Sequence, residues 1–346
     1  PAFKMNLDLK NIQIKNFLGE WNIDWNLKKV NVLVGKNGSG KTKLLQLIQN
    51  LIEKEELDSL FNEAKITFCN GIEINSYIVE DKNSDISKEM KSIMLMNFDK
   101  IKEEISNTLS KDKSKNKTEE ISTLFLEMIE RKFNESQEIS VGKNSLIKNK
   151  SFTRAYNTKT PASIKGDLDI SKELNVTYLS TVNMNANALN IVNKSNGKIS
   201  TILDMEIADE ITKLNKSKNK EKTINLFIKT INSFFIDTNK KIEFSESTLL
   251  IKKDKNEVLD LMSLSSGERQ LIFIFLKIVN SLTKRTLILM DEPEISLHLK
   301  WQEKLIKSIL DINKDNQIII VTHSPAMIMN GWLDSYTDIN NIRTEV

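Results

Sequence analysis

Eight consecutive residues limit what this chain can fold into more than any other feature: Gly35-Lys36-Asn37-Gly38-Ser39-Gly40-Lys41-Thr42. They fit the spacing G-x-x-x-x-G-K-[ST]. An apolar run, Val30 to Val34, leads into them, and from Lys43 onward Leu44, Leu45, Leu47, Ile48, Leu51 and Ile52 share one broad helical face. A strand that enters a glycine-rich loop and leaves as a helix predicts an α/β architecture. Glycine lets the backbone turn tightly enough for successive N–H groups to converge on phosphate, and the helix adds its positive N-terminal end. In such a loop Lys41 reaches the β- and γ-phosphates of ATP, and the Thr42 hydroxyl coordinates Mg2+.

Three further segments carry chemistry. Thr286 to Met290 is an apolar run ending in Asp291-Glu292, as expected of a strand buried on both faces of a parallel sheet. Read alone, it is any strand with an acidic turn. Beside a phosphate loop, Asp291 becomes the candidate to hold Mg2+ through water, and Glu292 the candidate to polarise the water that attacks the γ-phosphate. Ile318 to Val321 forms a second such run and ends in Thr322-His323-Ser324-Pro325. Leu264-Ser265-Ser266-Gly267-Glu268-Arg269-Gln270 introduces an apolar helix, Leu271 to Val279. Ser265 with Glu268 three residues later reads as a capping box, and a helix start bearing Ser and Gly also reads as an anion site.

The last segment carries a resemblance. LSSGE is similar to the LSGGQ/LSGGE signature of ABC, SMC and RecF-type ATPases, with Ser266 in place of the first glycine. In that family the signature faces the phosphates bound by the opposite subunit. The resemblance therefore implies a homodimer, or a higher oligomer, with ATP sandwiched between Ser265, Ser266, Gly267 and Glu268 of one copy and the loop of the other. Asp291 to His298 resembles the Walker B and D-loop segment. Its Glu294-x-x-Leu297-His298 ending is typical of the OLD-like, defence-associated branch, although Leu299 follows where proline is usual. His323 resembles the switch histidine that senses the γ-phosphate and joins Glu292 as a catalytic residue. His298 is open between an interface contact and a structural role. Ile14-Lys15-Asn16-Phe17 resembles the opening motif of the SMC/RecF class. A Q-loop should follow the strand at Val176 to Leu179, but Ser180 to Asn183 holds no glutamine, leaving Asn183 as the substitute. The resemblance covers residues 1–55 and 260–346.

The implied fold is an ABC-type ATPase head: α/β, with a mixed or parallel sheet, N-terminal antiparallel strands and an inserted, mainly helical arm. Leu7, Leu9, Ile12 and Ile14 predict a first strand with a register break near Asn11. Trp21, Ile23 and Trp25 predict a second strand. Ile66 to Val79 reads as a hairpin, with Asn70-Gly71 suited to a type I′ turn. Apolar spacing from Ile86 to Leu109 and from Glu119 to Phe133 predicts a helical hairpin around a polar linker at 111–117. Lys143 to Gly166 is polar and reads as irregular. The expected divisions are an N-terminal lobe (1–80), a helical insertion with a polar segment (81–170), a core strand with the Q-loop region (171–185), a helical and β arm (186–255), and a C-terminal lobe (256–346).

Composition narrows the function. Fifty basic residues against 47 acidic ones leave a net charge of only +3. Five of the fifty are arginine, so the lysines read as a solvated surface, with DNA as a further candidate partner. Two histidines and one cysteine leave no usual zinc set or disulfide framework, and a reducing cytoplasm is expected. No apolar run is long enough to span a bilayer, and no membrane partner is expected. Leu264 follows Lys41 by 223 positions, further than in ABC transporters and without the sustained heptads of SMC arms. OLD-family proteins carry a Toprim nuclease beyond this point, and the roughly 20 residues after His323 are too few for a folded domain. The leading expectation is an ATPase that acts as a sensor or regulator of a separate effector, a nuclease or toxin, similar to the ATPases of Septu, PARIS or retron-linked antiphage systems. The alternatives are a RecF-like DNA-binding ATPase in repair and an ATP-binding scaffold that hardly hydrolyses.

Overall fold

The computed structural model describes residues 6–55, 60–79, 144–149, 152–162, 164, 169–180, 191–193, 199–254, 257–282 and 284–346. They divide into two compact units, Pro1–Ile74 with Lys159–Val346, and Asn75–Thr158. The first unit opens with β1 (Leu9–Phe17) and β2 (Trp21–Asn26), paired antiparallel. Alternation buries one face: Leu9, Ile12, Ile14 and Phe17 from β1, Ile23 and Trp25 from β2. Next, β3 (Val30–Val34) runs through the glycine-rich loop into α1 (Lys41–Glu53). The chain returns as β4 (Glu63–Phe68) along β1, and the break expected near Asn11 is a register shift between Leu9 and Asn11.

The turn into β5 (Glu73–Val79) corrects one expectation. A type I′ turn needs positive φ at two residues, but here Gly71 has φ 84° and Asn70 is not left-handed. Gly71 N–H donates to Phe68 O (2.9 Å) and Phe68 N–H to Ile72 O (2.8 Å), so the link is a three-residue loop closed by a glycine bulge. Asn70 Oδ1 accepts from Ile72 N–H instead.

The second unit contains β6 (Asn144–Asn149) and β7 (Phe152–Lys159, up to its last residue), an antiparallel hairpin running from Asn144↔Asn157 to Asn149↔Phe152. This overturns the irregular segment expected at 143–166. In β7 buried Ala155 and Tyr156 are adjacent, which removes the period-two signal. The helical stretches expected between 86 and 133 lie outside the described residues.

Back in the first unit, a single helical turn (Ile170–Glu173) precedes β8 (Leu174–Leu179). A short hairpin, β9 (Ile191–Asn193) and β10 (Ile199–Thr201), leads into α2 (Ile202–Asn215) and α3 (Lys220–Phe234). A small antiparallel sheet follows: β11 (Lys240–Ser245), β12 (Thr248–Lys253) and β13 (Glu257–Leu259). After it come α4 (Ser266–Asn280), β14 (Arg285–Asp291), α5 (Leu299–Ile312), β15 (Gln317–Val321), β16 (Tyr336–Asp338) and β17 (Arg343–Glu345). No helix among the described residues is long and apolar enough to cross a membrane.

The core is a five-stranded sheet in the order β16-β3-β15-β14-β8, parallel throughout. Its three central strands, β3, β15 and β14, are buried on both faces, and the alternation of side chains decides which helices cover each. Val30, Val32, Ile288, Met290, Ile318 and Ile320 join the core made with α2, α3, α4 and α5. The alternate residues, such as Leu33, Leu289 and Ile319, are buried on the other side, where α1 packs on β8, β14 and β15. Helices α2 and α3 and strands β11 and β12 thus contribute to the core that α4 forms on the sheet.

One side chain stitches the antiparallel layer to this sheet. Buried Gln317, first residue of β15, accepts from Leu9 N–H (2.7 Å) and donates to Leu9 O (2.8 Å) and Lys28 O (2.9 Å). Beside it, Arg285 (3.0 Å) and Lys29 (3.3 Å) converge on Asp8. Replacing Gln317 with Leu takes this partner from the N–H and C=O of Leu9, at roughly 1 kcal/mol or more each, while Lys28 O keeps its bond from Asn31 Nδ2 (2.8 Å). Gln317→Leu is expected to lower stability by about 2 kcal/mol in urea unfolding. A loss under about 0.5 kcal/mol would show that the stitch is dispensable.

Candidate functional site

Strands β3, β15 and β14 are neighbours, and all three end at one edge of the parallel sheet. Ligands bind at that edge in open α/β sheets. The chain leaves β3 at Gly35, β14 at Glu292 and β15 at Thr322, so three separate stretches of sequence meet there.

The loop is built around what glycine permits. Gly40 sits at the N-cap of α1 with φ 87°, and a Cβ there would lie 2.7 Å from Leu18 Cδ1 and 2.9 Å from Phe17 Cε1. No side chain caps α1, so its first N–H groups remain available to an anion. Buried Lys41 donates to the carbonyl oxygens of Gly35 (2.8 Å) and Lys36 (2.9 Å). Burial holds its ammonium below the ordinary lysine value, opposed by the charges of Glu292, Asp291 and Glu294.

Thr42 donates its hydroxyl to Asp291 Oδ1 at 3.0 Å. Burial raises the Asp291 carboxyl above its usual range. The Thr42 bond and Lys41 oppose the shift, and the charges of Glu292 and Glu294 add to it. Glu292 adopts left-handed backbone, φ 49°, and its N–H donates to Val321 O at 2.8 Å. Such a conformation in a residue with a Cβ marks local strain. It leaves Glu292 Oε1 3.1 Å from His323 Nε2, with both side chains reaching solvent.

The signature residues occupy the start of α4. Ser265 Oγ accepts from Glu268 N–H (3.2 Å), and Glu268 Oε2 accepts from Ser265 N–H (2.7 Å), so the capping box is present. Glu268 is buried and also pairs with Lys240 at 2.9 Å, whereas Ser265 is exposed and Ser266 half-buried. Gly267 lies against the turn after β14, where a Cβ would meet Ser296 O at 2.3 Å. From the same helix Gln270 donates to Pro293 O at 2.6 Å. His298 packs edge-on against Trp301, their ring centres 5.4 Å apart.

The structure therefore brings Gly35 to Thr42, Asp291, Glu292 and His323 together, and places Ser265 to Glu268 against the 293–296 turn. Asn183 lies outside the described residues. Reading the sequence gave no role to Lys240, Gln270, Glu294 or Gln302, although Gln270 and Glu294 lie within the motifs it picked out. Glu294 had a signal, a third acid three positions after Asp291, but its partners lie on another strand and no spacing rule reaches them.

Residues 30–329 match the family described as "AAA domain, putative AbiEii toxin, Type IV TA system". A stretch of 113 residues is 30% identical to a protein of Escherichia coli named "Retron Ec83 probable ATPase", covering 28% of this chain and 20% of that protein. The chain thus spans about a fifth of the length of this curated relative. Among solved structures, the SMC head domain from Thermotoga maritima aligns over 98% of both chains with a TM-score of 0.47 and 12% identity. An Smc head with an extended coiled coil, bound to the C-terminal domain of ScpA derived from Pyrococcus furiosus, aligns over 98% of this chain and 96% of that one, with a TM-score of 0.44 and 12% identity.

The raised Asp291 carboxyl yields a test. Its charge is desolvated beside two other acids, so ionisation opposes folding at neutral pH. Asp291→Asn keeps an acceptor for Thr42 and removes the charge; without nucleotide it should melt at a higher temperature than wild type. Because the folded value is raised, the gap should be full at neutral pH and close as pH falls toward the ordinary value of 3.8. Equal melting temperatures at neutral pH would contradict the burial argument.

Proposed function

This chain belongs to that AAA-domain family, and from this premise we propose that it binds and slowly hydrolyses ATP, as the nucleotide switch of a separate effector in antiphage defence. The observation that carries the reading is the convergence at one sheet edge. The loop, the Thr42–Asp291 pair at 3.0 Å and the Glu292–His323 pair at 3.1 Å come from three strands that sequence order keeps far apart.

Gly35 to Thr42 cradles the phosphates, with Lys41 supplying a point charge to the β- and γ-groups. Thr42 and Asp291 offer hard oxygen atoms side by side, the donor set Mg2+ prefers. Among the described residues no group of three or more His, Cys, Asp or Glu side chains could hold a metal, so the ion would take its other oxygens from ATP and water. When bound it offsets phosphate charge. Glu292 orients and deprotonates the attacking water, and His323, paired with it, faces the γ-phosphate. The Ser265 hydroxyl accepts one bond in the capping box and keeps a proton to donate. On an exposed helix start, that donor suits the phosphate of a second copy, which gives a homodimer with two shared ATP sites.

The effector role draws on the resemblance to a retron ATPase and on the toxin–antitoxin description of the family. A nuclease or toxin is the expected partner. Co-purification from the native host should recover such a protein; recovery of DNA alone would move the reading to DNA repair.

Two measurements test the chemistry. Lys41→Ala should weaken ATP binding by at least about tenfold in calorimetry, while Glu292→Gln should bind ATP, lose about 100-fold in turnover and accumulate dimer on sizing columns. Turnover by Glu292→Gln equal to wild type would remove Glu292 from catalysis. Ser265→Arg should lose hydrolysis but keep its own ATP binding. Mixing it with Lys41→Ala protein should restore part of the activity, since each contributes the half the other lacks. No restoration would exclude shared sites.

A further inference from the structure

Asp291 ends β14, and of the two acids that follow it before α5, Glu294 bonds through its side chain to the exit of β15. Its Oε1 accepts two hydrogen bonds from the exit of β15: from the Thr322 hydroxyl at 2.6 Å and from the His323 backbone N–H at 2.8 Å. Thr322 is completely buried, so both donors are fixed where the chain leaves the sheet. The imidazole of His323 then lies 3.1 Å from Glu292 Oε1. Glu292 and Glu294 share a turn, which starts at the left-handed Glu292 and is closed by Leu297 N–H donating to Glu294 O at 2.9 Å. The two groups that meet, Glu292 and His323, are therefore referenced to one another through Glu294.

Gln302, on the first turns of α5, braces the same loop from its far side. Its Oε1 accepts from the Ser324 hydroxyl, and its Nε2 donates to Leu297 O at 2.8 Å. Residues 322–324 are thus tied twice to the 292–302 segment. The tie nearer the chemistry is the stronger, because it is a carboxylate accepting from both a backbone N–H and a hydroxyl. A misplacement of about 1 Å at such a point can cost on the order of 100-fold in rate.

We propose that Glu294 is a positioning residue for ATP hydrolysis: it holds the backbone of Thr322 and His323 so that the imidazole stands against Glu292. The proposal rests on the ATPase reading above, and it concerns neither nucleotide affinity nor dimerisation. Glu294 acts through His323 and touches no reacting atom.

Three variants and two readouts test it. Glu294→Ala removes both acceptor bonds, Glu294→Gln keeps an acceptor oxygen of the same reach, and His323→Ala removes the group being positioned. Glu294→Ala should lower kcat by about 10- to 100-fold while its affinity for MgATP stays within about threefold. Glu294→Gln should recover most of that loss. In the double variant, Glu294→Ala should add nothing to His323→Ala, because the position of an absent imidazole no longer matters. The second readout needs no activity. With only two histidines in the chain, diethylpyrocarbonate modification followed by mass spectrometry reports on His323, with His298 as internal control. The rate at His323 should rise about threefold or more in Glu294→Ala as its pairing loosens, and stay near wild type in Glu294→Gln. Losses that add in the double variant, an unchanged kcat in Glu294→Ala, or an unchanged modification rate would each overturn the proposal. A wild-type protein that fails to hydrolyse ATP would defeat the ATPase reading alone, since the modification rates still decide whether Glu294 holds His323.

Discussion

Everything at the candidate site depends on one constraint, that β3, β15 and β14 lie side by side, parallel, with both faces buried. A parallel sheet cannot expose a face to water, so helices must cover it on both sides. The chain supplies α1 on one side and α2 to α5 on the other. Parallel order also forces every strand to end at the same edge, so the phosphate loop, the Asp291-Glu292 pair and the His323 loop meet without long connections. The register that pairs Met290 with Ile320, and Ile320 with Val32, sets how closely they meet. A slip of one residue would turn each strand's buried sets over and move the acids away from Thr42.

Helix α4 is the second structural commitment. It is buried all round, as its apolar sequence demands, yet two of its early residues are charged. Arg269 pairs with Asp204 at 3.1 Å, both buried, while Asp204 also caps α2 through Thr201. Glu268 is shared between the capping box and Lys240. Buried pairs of this kind add little net stability and are costly to break singly. They set the position of α4, and Gly267 and Gln270 pass that position to the turn at 293–296. Exposed Ser265 of the signature and the acids of the site are therefore connected within one chain through packed backbone.

Legibility followed the range of the interaction. The loop, α1 and the β14 run were readable because strand burial, helical periodicity and glycine spacing are local signals. The capping box at Ser265 was readable for the same reason. The turn at Asn70-Gly71 was misread because the dipeptide fits two turn types, and the Asn70 side-chain bond to Ile72 belongs to the one adopted. The β6–β7 hairpin was missed because Ala155 and Tyr156, buried and adjacent in β7, break the period-two pattern.

By itself the sequence determined that a strand, a phosphate-type loop and a helix follow one another, and that two apolar strands end in Asp291-Glu292 and in Thr322-His323. These are properties of neighbouring residues, and chain connectivity guarantees them. Only the tertiary structure decided that Thr42 meets Asp291 across 249 positions, that Gln317 reaches Leu9 across 308, and that Glu294 holds the amide of His323. Hydrogen bonds of about 3 Å between such distant residues depend on strand order and register, and those are settled by how the whole core packs.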